Sequence, residues 1–212
     1  MTSSPASRLA PRLVLLAAAV LLLVAVWWAV SVWRDWQRGY DPETVVAASL
    51  QGLQEQNILV PFTARYVAVV TSTQSRLGLS AKKTLIMPGT VRYELDLGKL
   101  KQSDLDWDAA ANALTVTLPP LRLAGPEIDI DAISEFRDGE ILLTLTDAEA
   151  SLDAANRKAA QAELIKQAKG TTPMRLAQSA ARTAVEQSFA MPLKAAGIDA
   201  KVTARFTGAP TG

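Results

Sequence analysis

Between Ile86 and Leu97 the chain reads IMPGTVRYELDL, and from Val91 onward it alternates strictly. Val91, Tyr93, Leu95 and Leu97 fall on one side, Arg92, Glu94 and Asp96 on the other. Successive side chains of a strand point to opposite faces, so this pattern demands an extended segment with one dry face. A dry face needs neighbouring strands and a cover. Period-two patterning also marks strands over Thr63 to Thr73, Lys83 to Met87, Thr90 to Leu97, Asp104 to Trp107, Ala113 to Leu118, Glu127 to Phe136 and Glu140 to Leu145. Turn chemistry separates them at Pro88-Gly89, around Asn112, at Pro119-Pro120 and at Asp138-Gly139, and such short links predict antiparallel neighbours.

The cover comes later in the chain. Thr146-Asp147-Ala148-Glu149 is a capping box opening an alanine-rich helix that runs to Lys169 and stops at Gly170. Thr172-Pro173 caps a second helix, bearing Met174, Ala177, Ala181, Ala184 and Phe189, which reaches a break at Met191-Pro192 and ends at Gly197. The segment from Ile198 to Phe206 alternates again and predicts a strand returning to the sheet. Strands followed by segregated helices define an α+β fold: a mostly antiparallel sheet packed by two C-terminal helices, with a final returning strand. The apolar row from Val91 to Leu97 meets those helices, and burying its four side chains contributes about 6 to 12 kcal/mol before entropy.

A different physics governs the amino end. Leu13 to Trp33 reads LVLLAAAVLLLVAVWWAVSVW, with neither charge nor proline. At about 1.5 Å per residue the run is roughly 30 Å of helix, the thickness of a bilayer's hydrocarbon core. Trp27, Trp28, Trp33 and Trp36 gather at its far end, where indoles favour the lipid–water boundary, and Arg34 and Arg38 stop it. The expected organisation is a cytoplasmic tail over residues 1–12, a transmembrane helix over 13–33, a juxtamembrane stalk over 34–60, a soluble α+β domain over 61–207 and a flexible tail over 208–212. Within the stalk, Asp41-Pro42-Glu43 predicts a capped helix ending near Asn57. A short amino tail before a large domain predicts a single-pass protein of the plasma (inner) membrane, with its C-terminal domain outside the cytoplasm.

Composition narrows the chemistry. Lys and Arg number 22 against 21 Asp and Glu, so there is no basic field to attract nucleic acid. The absence of both cysteine and histidine removes thiolate nucleophiles and the commonest general base and metal ligand. Glu127, Asp129 and Asp131 alternate along one strand face at about 7 Å intervals, a candidate set for a hard cation such as calcium; a solvated face is the simpler reading. Asp104, Asp106 and Asp108 open like an EF-hand loop, but Ala109 replaces the required glycine and Thr115 the closing glutamate. Ser80 and Lys83 have Ser-x-x-Lys spacing without the companion motifs of serine–lysine enzymes. Lys82 and Lys83 are expected to shield a strand end from stray pairing or to sit near acidic lipid head groups.

Together LSAKKTLIMPGTVRYELDLGKL, ALTVTLPP, EIDID and the helical tail with its final strand resemble the domain-of-unknown-function family 4230. Its members join a membrane helix to a lysine-rich strand, a Gly-Thr-Val step, an Asp-Leu pair and a Leu-Pro-Pro strand end. The matching residues are Lys82, Lys83, Gly89, Thr90, Val91, Asp96, Leu97, Leu118, Pro119 and Pro120. The resemblance spans roughly residues 55 to 206 and implies an architecture and membrane placement, but no catalytic residue. The expected function is therefore non-enzymatic and without a cofactor: an anchored envelope protein whose outward domain binds another protein or its own copies. The alternative is a binding module for a lipid or small envelope amphiphile, seated between the sheet and alanine-rich helix faces.

Overall fold

The computed structural model describes residues 21–31, 41–76, 79–139 and 148–207. Residues 21–31 form a helix, α1, with Trp27 and Trp28 exposed. No helix among the described residues is long and apolar enough to cross a membrane. The predicted span lies only partly within them, and Trp33, Arg34, Trp36, Arg38 and both predicted tails lie outside.

Helix α2 (Pro42–Gln56) starts as its sequence requires: Asp41 accepts from the Thr44 amide at 3.2 Å and proline occupies the first turn. It ends at Asn57, whose φ of 66° turns the chain and whose carbonyl accepts from Leu97 N–H at 2.7 Å. This helix is not a free stalk. Val46, Leu50 and Leu53 recur at one-turn spacing and are buried in the domain's larger core, so the packed body begins before Pro61.

Strands β1 (Ile58–Arg76) and β2 (Leu79–Asp96) form an antiparallel hairpin of 19 and 18 residues, roughly 60 Å long at the usual strand rise. The predicted turn at Pro88-Gly89 is absent: β2 runs straight through it. Proline is tolerated inside this central strand because the opposing chain leaves the ladder there. β5 (Arg122–Ile128) ends opposite Gly89, residues Ile130–Ala132 make a short 3-10 turn, and β6 (Ser134–Asp138) resumes opposite Ile86. The missing proline N–H thus faces a gap, and the single predicted strand from Glu127 to Phe136 is split in two for the same reason. Gly89 serves close approach rather than a turn, since a Cβ there would meet Leu164 Cδ1 at 2.9 Å. The first sheet has β2 at its centre, β1 along one side and β5 and β6 along the other.

A second sheet holds β3 (Leu105–Asp108), β4 (Ala113–Leu118) and β7 (Lys201–Phe206). β7 is the predicted returning strand, but it joins this separate sheet and runs parallel to β4. The long excursion through β5, β6 and the helices supplies the crossover that a parallel pair requires. The predicted strand over Glu140 to Leu145 and the capping residues Thr146 and Asp147 lie outside the described residues.

Helix α3 (Ala148–Ala168) and helix α4 (Thr171–Ala195) cover the inner face. Leu152, Asn156, Ala160, Leu164 and Ala168 form the buried row of α3; Ala177, Ala181, Val185, Phe189 and Leu193 form that of α4. The expected break at Pro192 does not occur. Its lost hydrogen bond falls in the last turn, where little helix remains to kink, and Leu193 beyond it is buried. Val91 and Tyr93 pack against Ala168 and Ala177, and Leu95 and Leu97 against the Ala181, Val185 and Phe189 row, so the alternating strand meets both helices as its pattern requires.

Candidate functional site

Among the described residues the one buried charged side chain is Lys83, and a cluster of ionisable groups surrounds it. Its parity places it on the inward face of β2 between buried Ala81 and Leu85, and its side chain is only 2 % exposed. Isolated, an ammonium there would be unstable. Glu135 of β6 reaches its Nζ at 2.8 Å, Asp153 of α3 pairs with it closely, and Glu149 stands 4.0 Å away. Arg137 pairs with Glu149 at 3.0 Å. Asn156, also buried, donates to the Lys83 carbonyl at 2.9 Å. Glu149, Asp153 and Asn156 sit four and three residues apart, which brings them to one face of α3.

Burial lowers the Lys83 pKa, but hydrogen bonds from its ammonium to Asp153 and then Glu135 outweigh this, and the net shift is upward from the ordinary 10.5. An ammonium so held is a poor nucleophile or base. Its geometry suits a clamp that fastens β6 and the start of α3 to β2. The expectation that Lys82 and Lys83 shield a strand end or sit near lipid head groups is corrected for Lys83: Lys82 points outward opposite Asp138, whereas Lys83 points into the body.

A second polar anchor lies further along the same face. Tyr93 is fully buried, donates its hydroxyl to the Ala168 carbonyl at 2.8 Å and is 2.6 Å from the Tyr66 hydroxyl. Burial, then the Tyr66 hydrogen bond, pushes the phenol far above its ordinary 10.0. Ala168 ends α3, so the tyrosine supplies a donor to a carbonyl that the helix leaves unpaired.

The predicted acidic trio does not converge. Glu127 pairs with Arg92, Asp129 pairs with Arg65 at 2.6 Å, and Asp131 sits exposed in the 3-10 turn. Among the described residues no group of three or more acidic side chains is arranged to hold a metal. The motif residues instead mark structural joints. Lys82 through Leu97 trace β2 and its exit, and Asp96 lies 3.5 Å from Lys99. Pro119 and Pro120 end β4, leaving the Leu118 carbonyl to accept from Thr207 at 3.2 Å.

Two surfaces among the described residues suit recognition. On the outer face of the first sheet Val67 and Val69 are 49 % and 62 % exposed, and Phe136 is 61 % exposed. Val69 lies opposite Ile86, and Phe136 opposite Thr84, so they share one patch. At the other end of that sheet, Leu121, Leu123, Gly125, Ile165 and Met174 line a groove of 390 Å³ with Lys169 at its rim.

These features define a class of protein: a two-sheet α+β domain built on one long hairpin, with an ion-paired lysine buried beneath its central strand. A family described as a protein of unknown function (DUF4230) matches residues 51–204, and the chain belongs to that family. No curated protein and no solved structure matches it.

Proposed function

We propose that this is a non-enzymatic, membrane-anchored envelope protein whose domain faces outward and binds another protein or further copies of itself. The observation that carries the reading is the first sheet's bare outer face: among the described residues nothing covers Val67, Val69 and Phe136. A contiguous apolar patch with a polar rim is the usual mark of a protein contact. Here the rim consists of mutually neutralised pairs, Arg65 with Asp129 and Arg92 with Glu127. The uncharged run from Leu13 to Trp33 supports the anchor, placed in the plasma (inner) membrane. Crosslinking in native membranes followed by sizing in detergent tests the proposal. A retained partner or an oligomer is expected, and a strict monomer in both settings overturns it.

The groove at Leu121, Leu123, Ile165 and Met174 favours a second reading, a site for an acyl chain whose anionic head meets Lys169. Mass spectrometry of lipids retained by the purified protein decides it. Leu123→Trp should abolish any lipid so found.

A further inference from the structure

The interaction reading leaves open which partner the sheet takes and by which atoms. Resting on that reading, we infer that β1 pairs edge to edge with β1 of a second copy, antiparallel and centred on Ala68, to join two sheets into one.

Two separate observations show which backbone groups of β1 face away from β2. Asp129 N–H donates to the Pro88 carbonyl at 3.1 Å, so the backbone groups of Pro88 point toward β5 and β6. Val67, which sits opposite Pro88, must then turn its own groups away from β2, toward the free side of β1. Independently, the Val67 carbonyl accepts from Gln167 Nε2 at 3.2 Å, from outside the hairpin. By alternation Arg65, Val69, Thr71 and Thr73 share that direction. Among the described residues no strand pairs with this edge.

Proteins usually blunt such an edge with charges, prolines or bulges. From Tyr66 to Ser75 this one has no charge and no proline, and its single irregularity lies back at Leu59 to Phe62. Centring on Ala68 sets Val67 opposite Val69 of the second copy and Arg65 opposite Thr71. The two valines on each strand direct backbone donors and acceptors at one another's position, so each opposed pair exchanges two hydrogen bonds once the Val67 carbonyl trades Gln167 Nε2 for the Val69 N–H of the second copy. Like charges are nowhere opposed, since Arg65 faces the uncharged Thr71 and keeps Asp129 as its partner. On the outer face the two valine patches merge into one that neither copy has alone. A heterologous strand would need its own match to this sequence, whereas a second copy already carries one.

The absence of native cysteine makes the register directly readable in the full-length chain in membranes or detergent. Chains carrying Val67→Cys, mixed with chains carrying Val69→Cys, should give a disulfide-linked dimer under mild oxidation. Directly opposed residues lie about 5.5 Å apart, within disulfide reach. Either chain alone should crosslink several-fold less, because its cysteines are diagonal neighbours about 7 to 8 Å apart. Val69→Pro removes an N–H that the hairpin does not use and should convert the dimer to monomer. Val69→Lys should do the same without altering the backbone, with circular dichroism confirming the fold of both. If the dimer survives both substitutions and the mixed disulfide does not form, the pairing is overturned and self-association by another surface stands. If the unaltered chain is a monomer that retains a different protein, the pairing is overturned and the broader reading survives. A monomer retaining nothing overturns both.

Discussion

The two ends of the body are held by different forces. Around the second sheet, Leu95, Leu97, Leu100, Leu114, Val116, Leu118, Val185, Phe189 and Leu193 make a core without a charged member, closed by α2. Along the outer half of the hairpin the buried apolar side chains among the described residues are Ala68, Ala81, Leu85, Met87, Leu152, Ala160 and Leu164. Among them stands Lys83 with its carboxylates. The alanines of α3 let the helix approach the sheet closely, as the contact between Leu164 and Gly89 shows, but they contribute little transfer free energy. At this end, among the described residues, an ion-pair clamp stands beside the smaller buried side chains. One end should therefore answer to cavity formation and the other to charge.

The largest effect is expected in the larger core. Phe189→Ala, at a fully buried ring, should lower unfolding free energy by about 4 kcal/mol, measured by denaturant titration. The transition should remain cooperative, because the β1–β2 hairpin runs through both regions. Lys83→Ala comes next, at about 3 kcal/mol: it leaves Glu135 and Asp153 facing each other, although their partial exposure limits the penalty. Its signature should be local. Hydrogen exchange should rise in β6 and the first turns of α3 while amides of β4 and β7 keep their protection. Lys83→Met should recover part of the loss by refilling the volume. A uniform rise in exchange across both ends would contradict the division.

The sequence exposed the apolar framework more readily than the clamp. The row Val91, Tyr93, Leu95 and Leu97 was visible because alternation is a local signal, and Asp41-Pro42 announced α2 because a cap is built from adjacent residues. What α2 packs against was not local: its partners Leu97, Leu114 and Phe189 are distant in sequence. Pro88-Gly89 read as a turn because both residues favour one, and only the gap between β5 and β6 explains why the strand continues. Lys83 did carry a usable sign, since it is in phase with Ala81, Leu85 and Met87 rather than with Lys82. A lysine in a dry row calls for buried acids, and Glu149, Asp153 and Asn156 already shared a helix face. Those two facts lie in segments that only the fold brings together.

Alkaline titration tests the same contrast with the smallest effect. A lysine whose folded pKa is raised contributes stability that is fully present below the unfolded value, near 10.5, and is lost as pH rises through the folded value. In that window the folded chain holds a proton that the unfolded chain has released, so stability falls by at most about 1.4 kcal/mol per pH unit. Tyr93 adds a loss of the same sign, because its raised phenol also keeps its proton longest in the folded state. Denaturant midpoints alone cannot separate the two. The difference between the unaltered chain and Lys83→Met can, since Tyr93 contributes equally to both and cancels. That difference should hold steady up to about pH 10 and shrink above it. A difference independent of pH through this range would mean that Lys83 stabilises the hairpin by filling space, and both ends of the molecule would then be held by packing alone.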